Sequence, residues 1–187
     1  MKIYLAIAGI GFIAILTFLF FTRPVAAPVL QPTTHLNATY LIAGQPVTLK
    51  EGLAEVPAAP GSASVVTTRY FGNEVEHDFN GDGAPDKAFL ITQETGGSGA
   101  FFYLVVALRD GQGYRGSEAV YIGDRIAPQT TNVDEKGIIL VNYADRAPGE
   151  AFTVRPSQGK TLRLKFDPAT LTLGELVVDF EGESNVQ

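Results

Sequence analysis

The chain contains no cysteine. No disulfide can staple its fold, and no lipid can be attached through a thiol. Histidine is scarce too, with only His35 and His77 present. The sequence holds no Gly-x-Ser-x-Gly elbow, no His-Glu-x-x-His helix and no paired phosphate loop. Gly96-Gly97-Ser98-Gly99 is glycine-rich but lies between two expected strands, with no helix N-terminus to present amides, so it reads as a hairpin loop. Positive charge is short. Beyond residue 35 there are 12 basic and 20 acidic side chains, a net charge of −8. That balance argues against nucleic acid or an anionic membrane surface as partner. No stretch of this part sustains a 3.6-residue apolar period, which argues against a helical body.

The N-terminus is different. Ile3 to Phe21 is an uncharged, mostly apolar run between Lys2 and Arg23. Its 19 residues approach the ~20 needed to cross a bilayer as a helix. A cleaved signal peptide is the rival, although its apolar region would be ~7–15 residues and Pro28 would follow a cut after Ala27. Pro24, Pro28 and Pro32 mark residues 24–35 as an extended tether. The expected organisation is an anchor over 1–23, the tether over 24–35, one β domain over 36–181 and a frayed tail over 182–187. About 150 residues suffice for one core. Asn37-Ala38-Thr39 is a glycosylation sequon, relevant only in a host with that machinery.

The body reads as mainly β: a single antiparallel domain, sandwich or open meander. Ala38–Ile42 and Pro46–Lys50 form an expected hairpin, followed by a loop over Val56–Gly61. Ser64–Phe71 and Lys87–Glu94 are rich in strand formers. Phe101–Leu108 is apolar on both faces and should be the central strand, with Phe102, Leu104 and Val106 on one face and Phe101, Tyr103 and Val105 on the other. The Arg109–Gly113 turn returns it through Tyr114 and Ala119–Ile122. Further strands are expected at Gly137–Tyr143, Thr161–Phe166 and Leu171–Phe180, and a short helix is possible within Arg146–Ser157.

Asp78-Phe79-Asn80-Gly81-Asp82-Gly83-Ala84-Pro85-Asp86 organises the rest. Side-chain oxygens fall at positions 1, 3, 5 and 9, a backbone carbonyl (Ala84) at 7 and a glycine (Gly83) at the sharp turn. Hard oxygens on alternate residues are the ligand pattern of a calcium loop. An EF-hand would need Glu at position 12, which is Phe89 here. A plain hairpin turn is the other reading, since Asn-Gly and Asp-Gly favour such turns unaided. With a strand on either side, the loop resembles the calcium loops of FG-GAP (integrin-type) repeats. That resemblance implies calcium held by Asp78, Asn80, Asp82, the Ala84 carbonyl and Asp86. It covers only the loop and its flanks, and one such repeat cannot close a propeller. Calcium loops suit a calcium-rich exterior, which would place the body outside the cell membrane.

His77 beside Asp78 reads as a solvent-facing strand residue, because neighbours along a strand point to opposite faces. Two polar segments remain, Gly123–Thr130 and Asn142–Arg146, each with Asp directly before Arg. Asp124, Arg125, Asp145 and Arg146 could be internal ion pairs tying loops, or with Tyr143 a shared recognition surface. Arg69–Glu74, the DFNGDG loop, Thr92–Gly99, GDRIAPQT and VNYADR together look like an uncharacterised group of bacterial exported proteins. The likeness runs from about Asn37 to Arg155 and implies an exported bacterial setting. The expectation is a membrane-anchored, extracytoplasmic, calcium-binding β domain, without catalytic residues. It would serve as a binding or structural module for a protein or glycan partner. The rival is an envelope-associated hydrolase or enzyme inhibitor.

Overall fold

The computed structural model describes residues 33–176. The anchor expected over 1–23, residues 24–32 of the tether, the end of the Leu171–Phe180 strand and the 182–187 tail lie outside the described residues. Among the described residues no helix is long and apolar enough to cross a membrane. They are mainly β, and every pairing between named strands is antiparallel.

Strand β6 (Phe101–Asp110) is the spine. It pairs with β5 (Asp86–Glu94) along one edge and with β7 (Gly113–Gly116) and β8 (Val120–Asp124) along the other. Beyond β5 lie β4 (Val65–His77) and β3 (Leu53–Pro57), completing a six-stranded sheet. The sequence run is apolar on both faces because both faces are covered. Phe102, Leu104, Val106 and Leu108 point into a core shared with Ile139, Val141, Leu164 and Phe166. Those partners belong to β10 (Ile138–Asp145) and β11 (Gln158–Asp167) of a four-stranded sheet completed by β9 (Ala127–Val133) and β12 (Thr172–Glu175). On the opposite face Val105 and Ala107 join Phe89 and Ile91 under a hairpin of β1 (Thr39–Ile42) and β2 (Gln45–Thr48). Tyr40, Ile42, Val47 and Leu49 fill that second core. Each fully buried aliphatic chain in these layers contributes roughly 1.5–3 kcal/mol.

Three segments differ from the sequence reading. Leu53–Pro57, whose last two residues fall in the loop expected over Val56–Gly61, is the edge strand β3. Four of its five residues are exposed, so burial imprints no alternation on it, and pairing with Val65–Arg69 decides its conformation. Ala127–Val133, to which the sequence assigns no strand and whose first part lies in the polar Gly123–Thr130 segment, is β9, at the edge of its sheet. Its proline, Pro128, pairs with Tyr143 beside a register shift, one of the few positions where a sheet tolerates proline. Arg146–Ser157 contains turns and loop rather than a helix. The tether also ends sooner than expected: His35–Asn37 forms a 3-10 turn, and the His35 ring packs against Phe89, 5.2 Å between centroids.

Candidate metal centre

The acidic loop joins β4 directly to β5, the neighbour with which β4 pairs. Its side chains fold the backbone around themselves. Asp78 Oδ1 accepts from the Gly81 amide at 2.7 Å and the Asp82 amide at 3.1 Å, while Oδ2 accepts from Gly83 at 2.8 Å. Gly83 takes φ +83°, the conformation that makes glycine the economical residue at this turn. Asn80 Oδ1 accepts from the Asp82 amide at 3.0 Å, and its Nδ2 donates to Asp82 Oδ2 at 2.9 Å. Asp82 Oδ1 accepts from the Ala84 amide at 2.7 Å.

Asp86 behaves differently from the other two carboxylates. It is wholly buried. Its Oδ2 accepts from the Phe79 amide at 2.8 Å and its Oδ1 from the Arg109 amide at 2.7 Å, so it bridges the loop to the end of β6. Burial pushes its pKa above the ordinary carboxylate value; the two amides oppose this, and the charges of Asp82 and Asp78 add to it. Asp78 shifts the other way, held low by the Gly83 amide first and by Gly81 and Asp82 after it.

The donor set suits a hard cation, since all five predicted ligands offer oxygen. A carboxylate oxygen that accepts one amide proton keeps a further lone pair. Asp82 and Asp78 also lie near enough to Asp86 for their charges to act on it. Against that, among the described residues no group of three or more acidic or histidine side chains is arranged to hold a metal ion. The loop oxygens engage the loop's own amides, as in a stack of Asx turns. Asp78, Asn80, Asp82, Ala84 and Asp86 thus share one loop, and nitrogen–oxygen bonds, not oxygens closing on a point, set its shape.

The two Asp–Arg segments do converge. Arg146 Nη1 donates to the Arg125 carbonyl at 2.9 Å, and its other nitrogens donate to the carbonyls of Val154 (2.7 Å) and Phe152 (3.2 Å). Arg125 pairs with Asp124 at 2.7 Å and lies 3.6 Å above the Phe152 ring. Asp124 in turn accepts from the Ala100 amide at 3.0 Å, and Asp145 pairs with Lys160 at 2.7 Å. Arg bonding holds Asp124 below the usual carboxylate range, and Lys160 does the same for Asp145. Tyr143 is buried in the core, so it is not part of an exposed recognition surface with them. The cluster ties the 147–157 segment to two strand ends.

His77 is partly buried rather than solvent-facing, edge-on to Phe79 with ring centroids 4.9 Å apart. Sequence reasoning missed a cluster of rings on β6 and β8, exposed at Tyr121 and half-buried at Phe101 and Tyr103. Tyr121, 51% exposed, lies 5.5 Å from Tyr103 and 6.4 Å from Phe101 between centroids. The signal was present only as alternate aromatics; Tyr103 packs in part against the second core, and Tyr121 stays open. No protein family, curated protein or solved structure matches this chain.

Proposed function

We propose that the chain is a membrane-anchored, extracytoplasmic β domain of sandwich type. It binds one calcium ion through Asp78, Asn80, Asp82, the Ala84 carbonyl and Asp86, and works as a binding or structural module. The observation that carries this reading is the position of the loop. It is the direct connection between two paired strands of the larger sheet, and Asp86 fastens it to a third. A cation held there would act on the register of β4, β5 and β6 together. The resemblance to FG-GAP loops supplies the ion and the side of the membrane.

The exposed ring of Tyr121, with the half-buried rings of Phe101 and Tyr103 beside it, supports a binding role over the hydrolase alternative. Tyrosine joins apolar area to a polar tip and is enriched at interfaces for that reason. A protein or glycan is the partner class that suits an acidic, aromatic-bearing surface. The test is calorimetric titration of the full chain in detergent micelles with calcium, then with magnesium. Saturable heat with calcium at a stoichiometry of one is expected, and it should vanish in Asp82→Ala. A flat calcium titration would reduce the loop to a turn.

A further inference from the structure

The chain has one Asn-Gly pair, Asn80-Gly81, in the loop between β4 and β5. The pair is chemically weak. Glycine has no Cβ to keep its own nitrogen away from the preceding side chain, so that nitrogen can attack the Asn80 carboxamide carbon. Packing does not put glycine there, since a Cβ at 81 would meet nothing within 4 Å. The backbone does: Gly81 takes φ +77°, a conformation that other residues enter at a cost. Asn80, Gly81 and Asp82 are all exposed, so water reaches the pair.

Hydrogen bonds tie up both reacting groups. The Gly81 amide donates to Asp78 Oδ1 at 2.7 Å, and the same carboxylate takes the next two amides, Asp82 at 3.1 Å and Gly83 at 2.8 Å. To react, the Gly81 nitrogen has to give up its proton and turn its face to Asn80 Cγ, which breaks its place in that set. The Asn80 side chain is fixed at both ends by Asp82. Its Oδ1 accepts from the Asp82 amide at 3.0 Å, and its Nδ2 donates to Asp82 Oδ2 at 2.9 Å. Nucleophile and electrophile are thus each held by a different aspartate.

We propose that Asn80 is a non-enzymatic deamidation site that the closed loop holds off and that, once modified, keeps the loop open. The reaction needs only water. The Gly81 nitrogen bonds to Asn80 Cγ, the Cγ–Nδ2 bond breaks, and the nitrogen's proton leaves with ammonia, which gives a cyclic imide. Water then adds to one of the two imide carbonyls. One opening yields aspartate at 80; the other yields isoaspartate, with the side-chain carbon now in the main chain. Either product undoes the bonds that held the site. A carboxylate at 80 has no hydrogen to give Asp82 Oδ2 and sets a negative charge against it. Isoaspartate also lengthens the main chain before Gly81, so the amides of residues 81–83 no longer fall on the Asp78 oxygens in this register. The chemistry requires no cation in the loop.

The test holds the full chain in micelles at mildly alkaline pH, with chelator present so that the result does not depend on the calcium reading. Conversion of Asn80 is followed by mass spectrometry of its peptide, against the same chain in guanidinium. It should be about tenfold slower in the folded chain or slower still, tenfold being the factor that an opening cost of about 1.4 kcal/mol gives. Asp78→Ala frees the Gly81 amide and Asp82→Ala frees Asn80 Nδ2, so each should convert faster than wild type. If Asp78→Ala does not fold, Asp82→Ala, which keeps the main-chain donor at 82, decides. Modified wild-type chain, separated by ion exchange for its added charge, should lose hydrogen-exchange protection at residues 81–83 while β10 keeps its own. Equal rates in folded and unfolded chain, or variants no faster than wild type, would overturn the protection. A slower Asp78→Ala would overturn it too, since the carboxylate would then be a base for the Gly81 proton and not a restraint. Unchanged protection at 81–83 in the modified chain would overturn the opening.

Discussion

The Asp78–Asp86 loop and the corner built by Asp124–Arg125 and Asp145–Arg146 satisfy similar charges by opposite means. In the loop, Asp78 takes its partners from residues 81, 82 and 83, and Asp82 from residue 84. In the corner, Arg146 reaches back to the Arg125 carbonyl, Asp124 caps the Ala100 amide and Asp145 finds Lys160. The loop's shape is therefore written within nine residues, whereas the corner exists only once four separate segments have assembled. Asp86 belongs to both kinds, with one local partner in Phe79 and one distant partner in Arg109.

That double membership makes Asp86 the place to break the comparison hardest. Asp86→Ala leaves two interior amides without acceptors and should cost about 3 kcal/mol, read as a lowered urea midpoint. Asp86→Asn retains one acceptor oxygen and should fall between alanine and wild type. A loss below 1 kcal/mol for alanine would mean that the loop is not tied to β6 as described.

Calcium comes next. An ion that binds only the folded state adds RT ln(1 + [Ca]/Kd), ~2.7 kcal/mol at a hundredfold excess over Kd. The melting midpoint should rise in millimolar calcium relative to excess chelator. Asp82→Ala should remove the rise, and Asp82→Asn should weaken it because the oxygen stays while the charge goes. Equal wild-type midpoints in the two conditions would leave the loop held by hydrogen bonds alone.

Arg146→Ala removes three bonds to carbonyls and a neighbour of Phe152, at 5.5 Å from the ring centroid. A loss of roughly 1–2 kcal/mol is expected, with faster proteolysis confined to residues 147–157. Lysine at 146 should not rescue it, since an ammonium cannot span three carbonyls as the planar fork does. The smallest effect belongs to Lys160→Ala. Its pair with Asp145 is nearly half exposed on the lysine side, so about 0.5 kcal/mol is expected, shrinking further in high salt. A larger change would show the corner to be a coupled network rather than separate ties.

The apolar run Phe101–Leu108 specified by itself a central strand covered on both faces, because so many residues without polar alternation need cover on each side; Leu104–Leu108 are buried and only Phe101 and Tyr103 are half-open. The clean alternation of Thr161–Phe166 likewise located a strand of the second sheet, seen as part of β11. The spacing of Asp78, Asn80 and Asp82 fixed a tight polar turn, since each side chain reaches amides only two to five residues away. Tertiary structure alone decided the rest. Edge strands β3 and β9 take their conformation from a partner ladder, and one exposed face leaves no periodicity to read. Tyr143, written in a polar segment, is buried because β10 is a middle strand of its sheet. His35, written as tether, is drawn into a core by rings 35 to 79 residues away and by the Glu74 carboxylate that two bulges in β4 deliver. No local pattern records contacts at that separation, for they form only when the layers close.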